Sequence, residues 1–93
     1  MIAEKLRQAR QYHQAGEAET AARLYHEILD DAPDSAEALY WLGVLEFQNG
    51  RTGESETLLR RATGLQPANS LALYSLGVVL AASGQYKEAI TFY

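Results

Sequence analysis

Cysteine is absent from the 93 residues, which removes disulfides, thiolate metal ligands and thiol nucleophiles. Histidine occurs twice, as His13 and His26, with no HExxH spacing and no acidic partner pattern, so neither a metal site nor a catalytic triad is expected. The seven glycines contain no GxGxxG or Walker run, so no phosphate-binding loop or nucleotide cofactor is expected. Basic residues are in the minority, 8 against 12 acidic, for a net charge of -4. Nucleic acid and anionic membranes select for clustered Lys and Arg, so both are unfavoured partners. Long hydrophobic runs are missing too. The longest, Leu71 to Ala82, is interrupted by Ser75 and is well short of the roughly 18 residues of a membrane span. The opening Met1 to Gln14 carries Glu4, Lys5, Arg7 and Arg10 and does not read as a secretory signal.

What the chain does have is a period of 34 residues. Gly16, Gly50 and Gly84 are evenly spaced, as are Pro33 and Pro67, Tyr40 and Tyr74, Leu42 and Leu76, and Gly43 and Gly77. Sliding Ala36 to Leu59 onto Ser70 to Tyr93 gives 9 identities in 24 positions, where average composition gives roughly one or two. Repeats of 20 to 50 residues mark a solenoid, in which each unit buries its apolar face only by stacking on its neighbours. Function is then to be sought on an extended surface.

Two helices are punctuated within each period. Apolar residues recur at three- and four-residue spacing over about Ile2 to Gln14, Ala36 to Asn49 and Ser70 to Ser83. Gly16, Gly50 and Gly84 follow these stretches, where a left-handed C-terminal cap suits glycine. Second helices are expected over about Ala18 to Leu29, Gly53 to Thr63 and from Tyr86 onward, with Pro33 and Pro67 preventing continuation. Asp34 with Glu37 reads as a capping-box variant, and Asn69 or Ser70 as the cap of the third pair. The arginine pair Arg60-Arg61 reads as a solvated convex face.

A 34-residue helix-turn-helix with Leu39-x-x-Leu42-Gly43, a mid-repeat Gly50, Leu59, Ala62 and closing Pro67 resembles a tetratricopeptide repeat. The third unit carries Leu73, Leu76, Gly77, Gly84, Ala89 and Tyr93, and the looser first has Ala9, Tyr12, Gly16, Ala21, Tyr25 and Pro33. Small residues at Ala9, Gly43, Gly77, Ala21, Ser55 and Ala89 let paired helices approach closely. Two positions depart from the pattern: Glu46 stands where Tyr12 and Leu80 stand, and Trp41 is shifted from the family's tryptophan position, which holds Leu39. The resemblance implies an all-α fold, an α-α superhelix of two and a half to three units over about residues 2–35, 36–69 and 70–93.

It also implies a non-catalytic scaffold whose first helices line a concave groove for a peptide or a partner's helix. Family geometry places Leu6, Arg10 and His13, then Tyr40, Val44 and Phe47, then Tyr74, Val78 and Ala81 along that groove. The lining is mostly apolar and aromatic. A carboxylate clamp would need Lys, Arg or Asn at Leu6, Arg10, Tyr40, Val44, Tyr74 and Val78, and Arg10 alone qualifies. An asparagine ladder, as in O-linked N-acetylglucosamine transferases, would need Asn at Arg7, Trp41 and Ser75, and has none. Aromatic residues at helical spacing are more often core than recognition surface, so inter-repeat packing competes with binding for Tyr40, Phe47 and Tyr74.

The third unit is nearly uncharged: from Ser70 to Tyr93 only Lys87 and Glu88 carry charge, against 11 charged residues in Met1 to Asp34. Solenoids end in polar-faced caps. The chain is therefore expected to be the N-terminal piece of a longer protein, or to pair with a second copy through Leu76, Val79, Leu80, Ala89, Ile90 and Phe92. Its opening, Gln14-Ala15-Gly16 with Ala18, Ala21, Tyr25, Ile28, Leu29 and Pro33, is similar to first repeats of bacterial multi-repeat proteins, some joined to glycosyltransferase, sulfotransferase or methyltransferase domains. A cytoplasmic location and, as the alternative function, a recruiting or oligomerising arm of such an enzyme follow from that likeness.

Overall fold

The computed structural model describes residues 2–84. Among them are five helices and no strand: α1 Ile2–Gln14, α2 Ala18–Asp31, α3 Ala36–Gln48, α4 Thr52–Leu65 and α5 Ser70–Ala82. The expected second helix from Tyr86 onward and the small residue Ala89 lie outside the described residues.

The turns repeat as strictly as the helices. Gly16, Gly50 and Gly84 have φ of 83°, 82° and 87°, a left-handed conformation that costs glycine no Cβ clash. Around the first two, the chain closes a Schellman turn: Glu17 N–H donates to Tyr12 C=O at 2.9 Å and Arg51 N–H to Glu46 C=O at 2.8 Å. Between pairs the link is a β-turn with proline second. Ser35 N–H donates to Ala32 C=O across Pro33, and Asn69 N–H to Gln66 C=O across Pro67.

The cap expected at Asp34 is instead Ser35. Its Oγ accepts from Ala38 N–H at 3.3 Å, and Asn69 Oδ1 accepts from Ala72 N–H at 3.2 Å in the equivalent position 34 residues on. Proline at the second turn position fixes where the turn opens the helix, so the cap falls two residues after it, one beyond Asp34. Ser35→Ala is expected to cost about 1 kcal/mol, and Asp34→Ala a few tenths at most. Denaturant midpoints of the two variants check the assignment.

Each helix packs on the next along the chain, and α3 touches both α1 and α5. Ala9, Ala21, Leu24, Tyr25, Leu42 and Leu45 form one core cluster between the first helix pair and α3. Leu59, Leu76, Val79 and Leu80 form a second, between α4 and α5. The small residues sit where helices come closest: Ala9, Ala21, Ala38 and Ser55 are wholly buried. Ser55 also donates its Oγ–H to the Gly43 carbonyl at 2.6 Å, so its polar atom is satisfied while its size lets α3 and α4 approach.

Glu46, the departure from the repeat pattern, is buried at 3% exposure. One Arg51 nitrogen donates to both of its carboxylate oxygens at 3.2 Å. These two residues flank the Schellman turn, at the places where an apolar contact commonly closes it. An ion pair does so here. Nor is the arginine pair on α4 simply solvated: Arg60 pairs with Glu56, and Arg61 donates to the Pro33 carbonyl at 3.0 Å, tying α4 to the turn between α2 and α3.

Candidate functional site

α5 is apolar around nearly its whole circumference, and α3 is so apart from Glu37, Glu46 and Gln48, a pattern that calls for cover on more than one side. One face of each turns inward, as Leu39, Leu42 and Leu45 do on α3 and Leu76, Val79 and Leu80 on α5. Tyr40, Val44 and Phe47 on α3 are half-buried, and the other face of α5 stays largely open. Leu71 is 65% exposed and Tyr74 59%. Together with half-buried Val78 they form one stripe at three- and four-residue spacing, as helical geometry requires.

Between these helices lies a cleft of about 300 Å³. Buried Leu59 and Val79 floor it, and Val44, Phe47, Gln48, Tyr74, Ser75 and Val78 line its walls. Tyr40 and Phe47 each pack one side against the second core cluster, so they hold the wall in place as well as presenting it. Four of the groove positions expected from the sequence, Val44, Phe47, Tyr74 and Val78, thus meet at one cleft. Gln48 and Leu71 were not among those expected. Their signal was positional: Gln48 is four residues after Val44 and Leu71 three before Tyr74, each on the same helix face.

Ala81, also expected in the groove, packs half-buried on the second core cluster, as Tyr40 does, whereas Leu6, Arg10 and His13 gather at the other end. Leu6 is half-buried and packs on the first core cluster. Together with Arg10 it lines a shallow depression of about 300 Å³ along α1. Arg10 lies over the Trp41 ring, its guanidinium carbon 4.2 Å from the ring centroid. Trp41 is half-buried against the first core cluster and meets Tyr40 edge-on at 4.8 Å and His13 edge-on at 6.3 Å.

His13 ties three helices together: its Nδ1 is 3.2 Å from the Tyr25 hydroxyl on α2, and its Nε2 2.7 Å from Gln48 Oε1 on α3. The amide oxygen can only accept, so Nε2 carries a proton, and in the neutral ring Nδ1 accepts from Tyr25 O–H. Burial pushes the Tyr25 hydroxyl up to about 12, the Arg10 charge pulling the other way, so it stays a donor at neutral pH. His13 is therefore a structural linker as well as a groove residue. Gln48 belongs to both the His13 linkage and the cleft, and so connects the two ends.

Leu76, Val79 and Leu80, expected to form an open self-association face, are instead buried at 0%, 2% and 0%. They pack within the chain against Leu59 and its neighbours. The open face of α5 is the opposite one. Ala89, Ile90 and Phe92, the rest of that expected face, lie outside the described residues. Among the described residues no cluster of His, Asp or Glu could hold a metal ion, and no helix is long and apolar enough to cross a membrane.

A family model for the tetratricopeptide repeat matches the sequence over residues 6–70 and again over 48–93. Among curated proteins, a probable biofilm formation methyltransferase, WspC, from Pseudomonas putida is 35% identical over 75 residues, 81% of this chain and 18% of the relative. Among solved structures, an O-GlcNAc transferase from Thermobaculum terrenum superposes at a TM-score of 0.94 with 40% identity, over 98% of this chain and 18% of that one. The second TPR of Spaghetti (RPAP3), bound to an HSP90 peptide, superposes at 0.93 with 16% identity, over 98% of this chain and 84% of that one, a likeness of fold alone. The chain spans less than a fifth of the curated relatives it matches.

Proposed function

We propose that this chain, which belongs to the tetratricopeptide repeat family, is a non-catalytic protein-interaction scaffold that holds a peptide or a partner's helix in the concave groove formed by α1, α3 and α5. The observation that carries the reading is the open stripe of Leu71, Tyr74 and Val78 beside a cleft with an apolar floor. An exposed apolar face next to a shaped cavity is what a partner's apolar side chains fill. The HSP90 peptide held by the RPAP3 repeat supports a peptide as the class of ligand. In this reading, residues 2–35, 36–69 and 70–93 are successive units of one domain in a cytoplasmic bacterial protein.

A second reading has its own support. The methyltransferase and the O-GlcNAc transferase each match over a small segment of a much longer chain. On that ground the chain serves as the N-terminal recruiting or oligomerising arm of a larger bacterial enzyme, itself non-catalytic. Both readings use the same groove.

Peptides selected on the chain from a random phage library and resynthesised test it by fluorescence anisotropy. Tyr74→Ala is expected to weaken binding about tenfold, as loss of an aromatic anchor does, and Tyr40→Ala less. His26→Ala, exposed on α2, should change nothing. Raising salt should weaken affinity only modestly, since apolar burial supplies most of it. Indifference to Tyr74→Ala, or a steep loss with salt, would place binding on a charged or convex surface instead.

A further inference from the structure

Among the described residues, every other Lys and Arg has a local partner. Lys5 faces Glu27, Arg7 faces Glu4, Arg23 faces Glu27, Arg51 faces Glu46 and Arg60 faces Glu56, while Arg61 donates to the Pro33 carbonyl. Arg10 differs. Its guanidinium lies over the Trp41 ring, and no carboxylate among the described residues forms an ion pair with it. A guanidinium held over an indole by cation-π attraction spends none of its five N–H donors on that contact, so they stay available to a carboxylate. Such pre-orientation lowers the ordering cost that makes exposed ion pairs weak.

Its surroundings add to this. Trp41 is fixed from three sides by Tyr40, His13 and the first core cluster. His13 is in turn bonded to Gln48, a wall of the apolar cleft. A continuous run of side chains therefore leads from Arg10 to the cleft, so one segment lying along the groove can reach both. In the depression along α1, Arg7 is neutralised by Glu4, so Arg10, which has no ion pair among the described residues, is the cation there that complements an anion brought by the partner.

We propose that the partner is an apolar protein segment carrying an Asp or Glu side chain, whose carboxylate is bound by Arg10, held over Trp41, while its apolar side chains fill the cleft walled by Val44, Phe47, Tyr74 and Val78. This rests on the groove reading above and adds to it a polarity: acidic end toward α1, apolar end toward α5. It is not a carboxylate clamp, because Leu6, Tyr40, Val44, Tyr74 and Val78 stand at the other positions a clamp needs.

A random dodecapeptide phage library, selected on the chain and read out with synthetic peptides, decides the matter. The peptides recovered should combine apolar residues with Asp or Glu to one side. Arg10→Gln should weaken them about three- to tenfold. Changing the peptide's acid to its amide, which leaves the protein untouched, should weaken binding to the wild type equally and to Arg10→Gln not at all. Arg10→Lys should recover part of the affinity, keeping the charge but losing the guanidinium's paired donors. Peptides without acidic residues, or affinities unmoved by Arg10→Gln yet lost with Tyr74→Ala, would overturn the acidic anchor and leave the groove standing. Recovery of no peptide, or indifference to both substitutions, would overturn the groove reading and the anchor with it.

Discussion

Gly43→Leu is expected to cost the chain about 3 kcal/mol or more, lowering the thermal midpoint by roughly 10 to 20 °C for a domain of this size. A Cβ at Gly43 would stand 2.8 Å from Leu59 Cγ and 3.0 Å from its Cδ2. Leu59 is wholly buried in the second core cluster. Its Cγ is a branch point near the backbone, so it cannot swing aside as a chain end could. The Ser55 hydroxyl, 2.6 Å from the Gly43 carbonyl, pins the same crossing from the other side. Forcing α3 from α4 would break that hydrogen bond and loosen Leu59 from Leu76 and Leu80 together. Gly53→Ala is the matched control: no atom lies within 4 Å of a Cβ there, so alanine should gain a few tenths of a kcal/mol from its helix propensity. Arg60→Ala, removing a partly exposed pair with Glu56, should cost about 0.5 kcal/mol or less. Urea denaturation of the three variants checks the ordering, and equal midpoints for Gly43→Leu and Arg60→Ala would contradict the α3-α4 packing.

Arg51→Ala should be the next most damaging change, at about 2 kcal/mol. Glu46 is nearly wholly buried and its carboxylate is held by one arginine nitrogen, so removing the partner leaves a desolvated charge. Breaking a fully buried pair costs roughly 3 to 5 kcal/mol. The lower figure applies because the Arg51 side chain is 58% exposed, which lets solvent screen the pair and water reach the carboxylate. The diagnostic variant is the double one. Glu46→Leu places at this position the residue the next repeat holds there, Leu80. With it in place, Arg51→Ala should become nearly neutral, since no charge remains to be stranded. Additive losses in the double-mutant cycle would mean that Arg51 supports the turn through its backbone or stem, with the ion pair incidental.

The groove was readable in part. Val44, Phe47, Tyr74 and Val78 share a cleft because helical spacing alone places them on one face of α3 and of α5. Trp41 and His13 were harder to place, because their roles depend on neighbours from other helices. The indole sits under an arginine from α1, and the imidazole is held between a tyrosine of α2 and an amide of α3, 35 residues away. Spacing within one helix carries no information about such contacts.

The sequence by itself determined the repeat, the order of the helices and the positions of their turns. Each of these depends on local physics: positive φ that glycine accepts at Gly16, Gly50 and Gly84, a fixed φ at Pro33 and Pro67, and three- and four-residue apolar spacing. Tertiary structure alone decided which of its apolar faces α5 turned inward. α5 is apolar around nearly its whole circumference, so composition could not separate Leu76, Val79 and Leu80, which α4 covers, from Leu71 and Tyr74, which it leaves open. The Gly43 crossing brings α4 close to α3, and α5 packs on α4 through Leu76, Val79 and Leu80. With no side chain at that crossing, α3 and α4 come near enough for Leu59 to pack against Leu76 and Leu80, and Leu71 and Tyr74 on the far side of α5 stay exposed.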